Sequence, residues 1–262
     1  PSPLTFGEIM KPPFNEEELP LLIDGRCTLL EVLANRRETA VLRVDRGVMR
    51  ISRTREPIRR NSEALELLQG LEIAPKLIDA GDTDEIYFSL EEHLPGTRGE
   101  EAPLTEELLH ALLEKLSVLH SIQNSAGLTL NWREALFERY RARFAHVPEK
   151  YVSLLEERIG TPARETLLHG MLEMNNVILL GSTPHLVDFE DSLWGEPEFD
   201  LGALYYKEFF PEKLLSKLCS LFNYDEEKAL LYALYFGVKT VGKEKSPYKE
   251  EKLKRIFTRL RG

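Results

Sequence analysis

Two oxygen-bearing side chains flank a predicted β-hairpin in the second half of the chain. Asn176 stands immediately before the apolar run Val177–Leu180, and Asp188 directly follows the apolar pair Leu186-Val187. Short runs of leucine and β-branched residues bounded by Gly, Asn and Pro predict strands. One strand then begins at an amide and the next ends at a carboxylate, so both side chains belong to the same end of the hairpin. Hard oxygen donors of this kind suit Mg²⁺, which proteins usually hold through one or two groups together with phosphate oxygens.

Each candidate also has an ordinary structural interpretation. Asp188 could be a turn carboxylate that accepts backbone N–H groups, and Asn176 could be a turn amide. Asp200, which stands before a predicted helix, could be an N-cap. The metal hypothesis therefore depends on the sequence around these residues.

That sequence contains an ordered series of motifs. His169-Gly170 is followed by Leu172 and Asn176, then by Asp188-Phe189-Glu190, and then by Trp-Gly-x-Pro-x-Phe-Asp-Leu from Trp194. In content and in order, the series resembles the aminoglycoside phosphotransferase and choline kinase group of kinase-like enzymes.

The resemblance implies a fold, cofactors and an activity. The fold would be a two-lobed, protein kinase-like α+β fold, with a small antiparallel sheet lobe (residues 1–95) for the nucleotide and a larger helical lobe (residues 96–262). The cofactors would be ATP and Mg²⁺. The reaction would transfer the γ-phosphate to a hydroxyl of a small molecule such as an amino sugar or an amino alcohol.

The resemblance also implies roles for individual residues. Asn176 and Asp188 occupy the metal-ligand positions of the family. Asp200 occupies the position of an aspartate that orients the catalytic loop through backbone N–H groups, and His169 is expected to help order the same loop.

The most serious departure from the family pattern is in the catalytic loop. Met171 stands where the family has its catalytic aspartate, two residues after the histidine. A thioether cannot accept the proton of a hydroxyl, so the usual general base is missing. Glu173 and Glu190 are nearby carboxylates that could replace it. The alternative is a catalytically impaired protein on the same fold, which binds nucleotide or acts as a regulatory module.

The first lobe begins with a predicted meander of three strands and two tight turns between residues 28 and 51. Arg50 lies on the third strand, where kinases have a phosphate-binding lysine, and its guanidinium can fork onto phosphate oxygens. The glycines of the family's phosphate-covering loop are missing between the first two strands, so the backbone there cannot approach a phosphate as closely. The stretch 36–60 is rich in arginine, which indicates either an electropositive roof for a triphosphate or a solvated strand face.

The stretch Asn61–Gly70 predicts a helix that ends at Gly70. In kinases this helix supplies a glutamate that pairs with the third-strand cation. The corresponding position holds Asn61, and the nearest replacement is Glu63, so one hypothesis is that Glu63 pairs with Arg50. The alternative is that Glu63 is an exposed glutamate in the first helical turn, where the helix dipole favours it.

A hinge between the lobes is predicted near Pro95. The stretch Glu91–Gly96 resembles the family's hinge, in which backbone groups of Glu91, Glu92 and His93 would hydrogen-bond an adenine edge. Beyond it, leucines at a period of 3.6 residues predict an amphipathic helix over Leu104–Ile122. Further predicted helices cover Trp132–Phe144, Lys150–Ile159, Glu212–Phe222, Asp225–Gly237 and Lys249–Leu260.

Composition narrows the class of protein. The chain has 262 residues, of which 42% are hydrophobic, and a formal net charge of −10, which argues against general nucleic-acid binding. No apolar run approaches ~18 residues, and the first residues do not resemble a signal peptide. The two cysteines, Cys27 and Cys219, are far apart, so we expect free thiols in a reducing cytoplasm. The expected partners are a nucleotide and a small-molecule hydroxyl acceptor, without nucleic acid or membrane.

Overall fold

The computed structural model describes residues 12–23, 25–36, 38–124, 136–137, 144–162, 164–241 and 246–262. The chain divides into two compact units. The sheet unit comprises the chain up to Gly96 together with His185–Asp191, and the helical unit comprises Thr97–Pro184 and Ser192–Gly262. The segment around Asp188, which the sequence analysis placed in the C-terminal lobe, groups with the sheet unit.

The sheet unit contains a five-stranded antiparallel sheet in the order β1-β2-β3-β5-β4. Its strands are β1 (Leu29–Arg36), β2 (Thr39–Val44), β3 (Gly47–Ser52), β4 (Leu77–Asp82) and β5 (Tyr87–Glu91). The predicted meander corresponds to β1, β2 and β3.

The two faces of this sheet differ in character because successive residues of a strand point to opposite sides. One face carries alternate apolar residues of the three central strands and forms the core of the unit: Ala40, Leu42, Val44, Met49, Ile51, Phe88 and Leu90. The intervening positions include buried polar residues: Thr39, Arg50, Ser52, Ser89 and Glu91. Burying polar side chains costs free energy unless they are paired, so this face is the natural place to look for a site.

The described part of the sheet unit contains two helices, the short α1 (Leu19–Leu22) and α2 (Arg55–Leu67). Helix α2 begins at Arg55, so the predicted start at Asn61 is wrong. Thr54 has an extended backbone at the N-cap, and the turns that follow consist mainly of charged residues. Apolar periodicity cannot detect such solvated turns. Asn61 consequently lies in the helix interior, on the same buried side as Ala64 and Leu65.

The helical unit contains six helices among the described residues. They are α3 (Glu106–Leu119), α4 (Glu149–Arg158), α5 (Glu198–Glu208), α6 (Glu212–Phe222), α7 (Glu226–Val241) and α8 (Pro247–Arg261). All six overlap predicted helices, and α5 is the helix expected at Asp200. The predicted helix Trp132–Phe144 lies mostly outside the described residues.

Short strands connect these helices. They are β6 (Thr97–Arg98), β7 (Thr166–Leu168), β8 (Val177–Leu180), β9 (Thr183–Leu186) and β10 (Leu193–Gly195). Strand β7 pairs antiparallel with β10, and a second small sheet has the order β6-β8-β9. The predicted hairpin is therefore present as β8 and β9, with a 3₁₀ turn over Met174–Asn176 immediately before β8.

Helices α5 and α7 pack unusually closely at Gly202. A Cβ atom at this position would lie 2.6 Å from the Cβ of Tyr232, 2.7 Å from the carbonyl oxygen of Ala229 and 2.8 Å from the amide nitrogen of Ala233. Two of these three contacts are with backbone, which cannot move aside without shifting α7. The absence of a side chain at Gly202 thus sets the spacing between the two helices.

We expect Gly202→Ala to lower the free energy of unfolding by about 2 kcal/mol, because overpacking outweighs the roughly 1 kcal/mol that alanine gains in helix propensity. Gly160→Ala is the matched control, since a Cβ there meets nothing within 4 Å. Urea denaturation of the three proteins measures the effect. Equal midpoints for Gly202→Ala and the wild type would contradict the packing described for α5 and α7.

Candidate functional site

The buried Arg50 on β3 is the centre of a group of charges in the sheet unit. Its Nε donates a hydrogen bond to Glu91 Oε1 at 3.0 Å. Its Nη1 donates to Asp188 Oδ1 at 3.2 Å and to Glu190 Oε1 at 3.3 Å. We call these four residues the Arg50 cluster. Within the described part of the chain, Nη2 makes no hydrogen bond, so it is the guanidinium nitrogen available to a ligand.

The register of the sheet places two members of this cluster together. Arg50 stands opposite Ser89 in the pairing of β3 with β5, and Glu91 is two residues further along β5. Residues two apart on a strand share a face, and such diagonal neighbours are within reach of long side chains. The contact between Nε and Glu91 therefore follows directly from the strand pairing.

The charges of the Arg50 cluster do not balance. Burial alone would lower the pKa of Arg50, but Glu91, Asp188 and Glu190 together raise it, so the guanidinium stays protonated. One positive charge then faces three carboxyl groups. A ligand cation would offset the excess negative charge when these groups are ionised.

Glu190 is the carboxyl group of the cluster whose ionisation is most affected. Its burial and the neighbouring Asp188 raise the pKa of Glu190 to about 7, against the opposing effects of Arg50 and of the hydroxyl of Thr39. Thr39 donates to Glu190 Oε2 at 3.1 Å. In the unfolded chain the carboxyl group of Glu190 has its ordinary, lower pKa. The folded protein therefore binds the proton of Glu190 more tightly than the unfolded chain does. The resulting stability is fully present below about pH 4.5 and is lost as the pH rises through 7.

The Glu190→Gln variant tests this ionisation. Glutamine mimics the neutral form at every pH, so we expect its stability relative to the wild type to rise by about 2 kcal/mol between pH 4.5 and pH 8. Chemical denaturation at several pH values, without added metal, measures the difference. Glu66→Gln, which changes an exposed glutamate of α2, is the control and should show no such trend. A constant difference between Glu190→Gln and the wild type across this range would contradict the raised pKa.

The backbone around Asp188 is held in an unusual conformation. Asp188 has a φ of 71°, in the left-handed region that few residues other than glycine, asparagine and aspartate adopt. The next residue, Phe189, is fully buried, and its N–H donates to Asn61 Oδ1 at 3.0 Å. Asn61 Nδ2 in turn donates to Ser89 Oγ at 3.2 Å. Asn61 thereby connects α2, β5 and the Asp188 segment through one buried amide.

The predicted ion pair between Glu63 and Arg50 is wrong. Glu63 is exposed and pairs with Arg59, one turn earlier on α2, at 2.6 Å. The neighbouring side of the helix presents Asn61 to the buried interior. Glu91 on β5 is the buried acid that contacts Arg50 through Nε, so the charge partner comes from the sheet.

A backbone hydrogen bond removes one of the groups that were predicted to contact adenine at the hinge. Glu91 ends β5, and its side chain is engaged with Arg50. The N–H of Glu92 donates to the carbonyl oxygen of Lys76 at 2.8 Å, so it is not free for an adenine. The other backbone groups of Glu91, Glu92 and His93 stay predicted adenine contacts.

A second group of candidate residues lies in the helical unit, around the loop after β7. Asp200 Oδ2 accepts the N–H of His169 at 2.7 Å, and Oδ1 accepts the N–H of Gly170 at 2.9 Å. The predicted contact between Asp200 and the loop backbone is present. Asp200 lies inside the first turn of α5, where Pro197 is the N-cap, so the N-cap alternative is wrong.

Asp200 is itself held by a buried histidine. His120 Nε2 lies 3.1 Å from Asp200 Oδ2, and His120 Nδ1 lies 2.9 Å from the hydroxyl of Tyr224. His120 is the C-cap of α3, so this chain of contacts ties the loop to α3. His169 is also fully buried, which fits a residue that orders the loop.

The side chain of Asn176 holds the backbone of the same loop at Met171. The Nδ2 of Asn176 donates to the carbonyl oxygen of Met171 at 2.9 Å. Its amide oxygen therefore points away from that carbonyl, and this oxygen is the atom that could bind a cation. Glu173 forms an ion pair with Lys207 at 2.6 Å, and the N–H of Met174 donates to Glu208 at 2.9 Å.

The donor types fit a hard cation but do not form a complete protein cage. Asp188 and Asn176 offer carboxylate and amide oxygens, which suit Mg²⁺. Across the described ranges, no group of three His, Cys, Asp or Glu side chains is arranged to hold a metal ion. A Mg²⁺ ion would thus need ligands from phosphate or water as well. Their joint binding of one ion stays a prediction.

Sequence reasoning missed three contributors to these sites. It noted Asn61 only as a mismatch, and it assigned Glu91 a role through its backbone alone. Lys207 was not considered at all. The side-chain role of Glu91 could have been predicted from a correct strand register. That register pairs Arg50 with Ser89 and places Glu91 two residues further along the same strand. No pattern in the sequence indicated the contact of Lys207 with Glu173.

Comparison with known proteins identifies the family. A sequence profile of the phosphotransferase enzyme family (APH) matches residues 30–229. The chain belongs to this family. Membership supports a small-molecule phosphotransferase. A search of curated protein sequences gave no match.

Solved structures of phosphotransferases share the fold. The aminoglycoside phosphotransferase APH(4)-Ia is 13% identical with a TM-score of 0.63, covering 92% of this chain and 95% of that chain. The choline kinase LicA from Streptococcus pneumoniae is 18% identical with a TM-score of 0.61, covering 94% and 97%. The amicoumacin kinase hAmiN, in complex with AMP-PNP, Ca²⁺ and Ami, is 15% identical with a TM-score of 0.61, covering 97% and 90%. The predicted protein kinase-like α+β fold is confirmed.

Of the helices that the structure describes, none is both long enough and apolar enough to cross a bilayer.

Proposed function

We propose that the protein is an ATP- and Mg²⁺-dependent phosphotransferase that transfers the γ-phosphoryl group to a hydroxyl of a small molecule, such as an amino sugar or an amino alcohol. The observation that carries this proposal is the Arg50 cluster. A buried arginine is held on two of its nitrogens, keeps Nη2 for a ligand, and contacts the aspartate at the family's metal position.

The chain has candidate residues for binding the phosphates, the adenine and the metal ion. The reaction depends mainly on positioning and on neutralising phosphate charge. Arg50 would bind phosphate oxygens, and backbone groups of Glu91, Glu92 and His93 would bind the adenine. Asp188 and Asn176 would hold Mg²⁺, which neutralises charge on the phosphates when it is bound.

The loop after β7 would lie next to the acceptor hydroxyl. Asp200 fixes two successive N–H groups of this loop, and Asn176 fixes the carbonyl of Met171. The side chain at the base position is the thioether of Met171, so the acceptor proton must leave by another route. Glu173 is the candidate base in this loop, and Lys207 is the cation that holds its carboxylate.

Met171 and Glu173 also support a second function. Met171 cannot act as a base, and Glu173 is occupied by its ion pair with Lys207. General base catalysis contributes typically about 10²–10⁴-fold, so a chain that lacks it could bind nucleotide without useful turnover. The protein would then be a nucleotide-binding or regulatory module on a phosphotransferase fold.

An acceptor screen tests the proposed function and separates it from this alternative. ADP formation from Mg·ATP is measured with panels of amino sugars, choline-like alcohols and ketosamines, against a reaction without acceptor. A phosphotransferase gives ADP in excess of the acceptor-free rate, with phosphate recovered on the acceptor. Nucleotide binding without acceptor-dependent ADP would favour the binding module, and absence of nucleotide binding would exclude both functions.

A further inference from the structure

We infer that the side chain of Glu91 is the positioning residue that aims Arg50 at the phosphates of the nucleotide, in place of an acid on helix α2. The inference rests on the proposed function, because it deepens the role of Arg50 in that site. It concerns a residue whose contribution was otherwise expected to come only from its backbone.

The contacts of Arg50 and Glu91 support this role. Their side chains are 5% and 4% exposed, and the distance from Nε to Oε1 is 3.0 Å. Nε is the guanidinium nitrogen nearest the chain, so a charged partner there fixes the plane of the group and the direction of Nη2. The glutamate on α2, Glu63, is 55% exposed and bonded to Arg59.

Glu91 is also the carboxylate of the Arg50 cluster that has the fewest other contacts and no proposed role in metal binding. Asp188 and Glu190 both contact Nη1, and Asp188 is the proposed metal ligand, so its charge would be shared with a bound cation. The side chain of Glu91 bonds to Arg50 alone among the described residues. Its other oxygen, Oε2, is buried without a hydrogen-bond partner, which costs stability and is not explained by packing.

The location of Glu91 has a consequence for control of the site. Arg50 and Glu91 lie on strands that are joined by backbone hydrogen bonds, so their separation is set by the sheet. The buried residues of helix α2 are all uncharged, and one of them, Asn61, is bonded to Ser89 and Phe189. A movement of α2 would therefore not break the ion pair of Arg50, and the cation is held in place whether or not the helix shifts.

The test compares two ligands that differ in their phosphates. Glu91→Gln keeps the shape of the side chain and removes its charge. We expect its affinity for Mg·ATP, measured by calorimetry, to fall about 10-fold, the scale of one charge-assisted hydrogen bond, while its affinity for adenosine changes less than about 2-fold. An equal loss for both ligands, or no loss for either, would overturn the inference.

Two further variants make the assignment specific. In an Arg50→Ala background, Glu91→Gln should leave the ratio of the Mg·ATP and adenosine affinities unchanged, because Glu91 acts through Arg50. Glu63→Gln should leave the same ratio near the wild-type value. A selective loss of Mg·ATP affinity in Glu63→Gln, or a further loss in the double variant, would overturn the inference.

A ligand-independent measurement separates failure of this inference from failure of the proposed function. Hydrogen exchange at Arg50 Nε–H, followed by NMR in the free protein, should accelerate about 10-fold in Glu91→Gln, because the protecting hydrogen bond weakens. If Glu91→Gln does not fold, Glu91→Asp takes its place, with a smaller selective loss of Mg·ATP affinity and a smaller acceleration expected. A wild type that binds neither ligand would overturn the proposed function and the phosphate role together. Unchanged exchange in the variant would overturn the anchoring of Arg50 by Glu91, whatever the wild type binds.

Discussion

Asp188→Asn is expected to abolish most of the thermal stabilisation that Mg·ATP gives to the protein. A ligand at 100 times its dissociation constant stabilises a folded protein by about 2.7 kcal/mol, which for a chain of this size is about 5–10 °C in Tm. A unit charge about 4 Å from a cation is worth about 4 kcal/mol at an effective dielectric constant of 20. Removing that charge should weaken the binding of Mg·ATP at least about 100-fold. At the same ligand concentration, the shift in Tm would then be about 1 °C.

The controls for this experiment separate the metal role from folding. Asp84→Asn removes an exposed aspartate between β4 and β5 and should keep the wild-type shift. Adenosine, which carries no phosphate, should bind Asp188→Asn and the wild type alike if the fold is intact. Addition of EDTA to the wild type should reproduce the loss seen in the variant. A full Mg·ATP shift in Asp188→Asn would remove Asp188 from the metal site.

Met171→Asp is expected to raise acceptor-dependent turnover by about 10²–10⁴-fold, the usual contribution of a general base. The substitution places a carboxylate where the family has its catalytic aspartate. The backbone that would position it is already fixed, because the carbonyl of Met171 accepts the hydrogen bond from Asn176 Nδ2. The measurement is the rate of ADP formation with the best acceptor from the screen.

Met171→Asn is the matched control for the gain in rate. Asparagine has the size of aspartate without its basicity, so its rate should stay near that of the wild type. If Met171→Asp is no faster than the wild type, the chain does not lack a base. Glu173→Gln then identifies the replacement, since its turnover should collapse if Glu173 accepts the proton.

The sequence predicted the features of the fold that depend on local pattern. The order of motifs from His169 to Leu201 led to the family, and the contact of Asp200 with the loop backbone followed from it. The hairpin followed from short apolar runs bounded by Gly, Asn and Pro. Alternation along β2 and β3 was sufficient to place the meander. These features depend on chain periodicity and on residue types at fixed spacing, which the sequence displays directly.

The partners of Arg50 could not be predicted in the same way. Glu63 and Glu91 are both acids that a sequence can place near the third strand, and the choice between them depends on strand register and on the rotation of α2. The first turns of α2 are charged and solvated, so its start was placed at Asn61 rather than at Arg55. That error of more than one turn left no basis for deciding which side of α2 faces the interior. Buried ion pairs between distant segments are decided by tertiary geometry, for which local pattern carries no signal.

A crystal structure of the protein with Mg²⁺ and a non-hydrolysable ATP analogue tests the central claim most directly. The account predicts a phosphate oxygen hydrogen-bonded to Arg50 Nη2, and a divalent ion bound by Asp188 and by the amide oxygen of Asn176. A bound analogue whose phosphates lie away from Arg50, or an ion without Asp188 among its ligands, would contradict it.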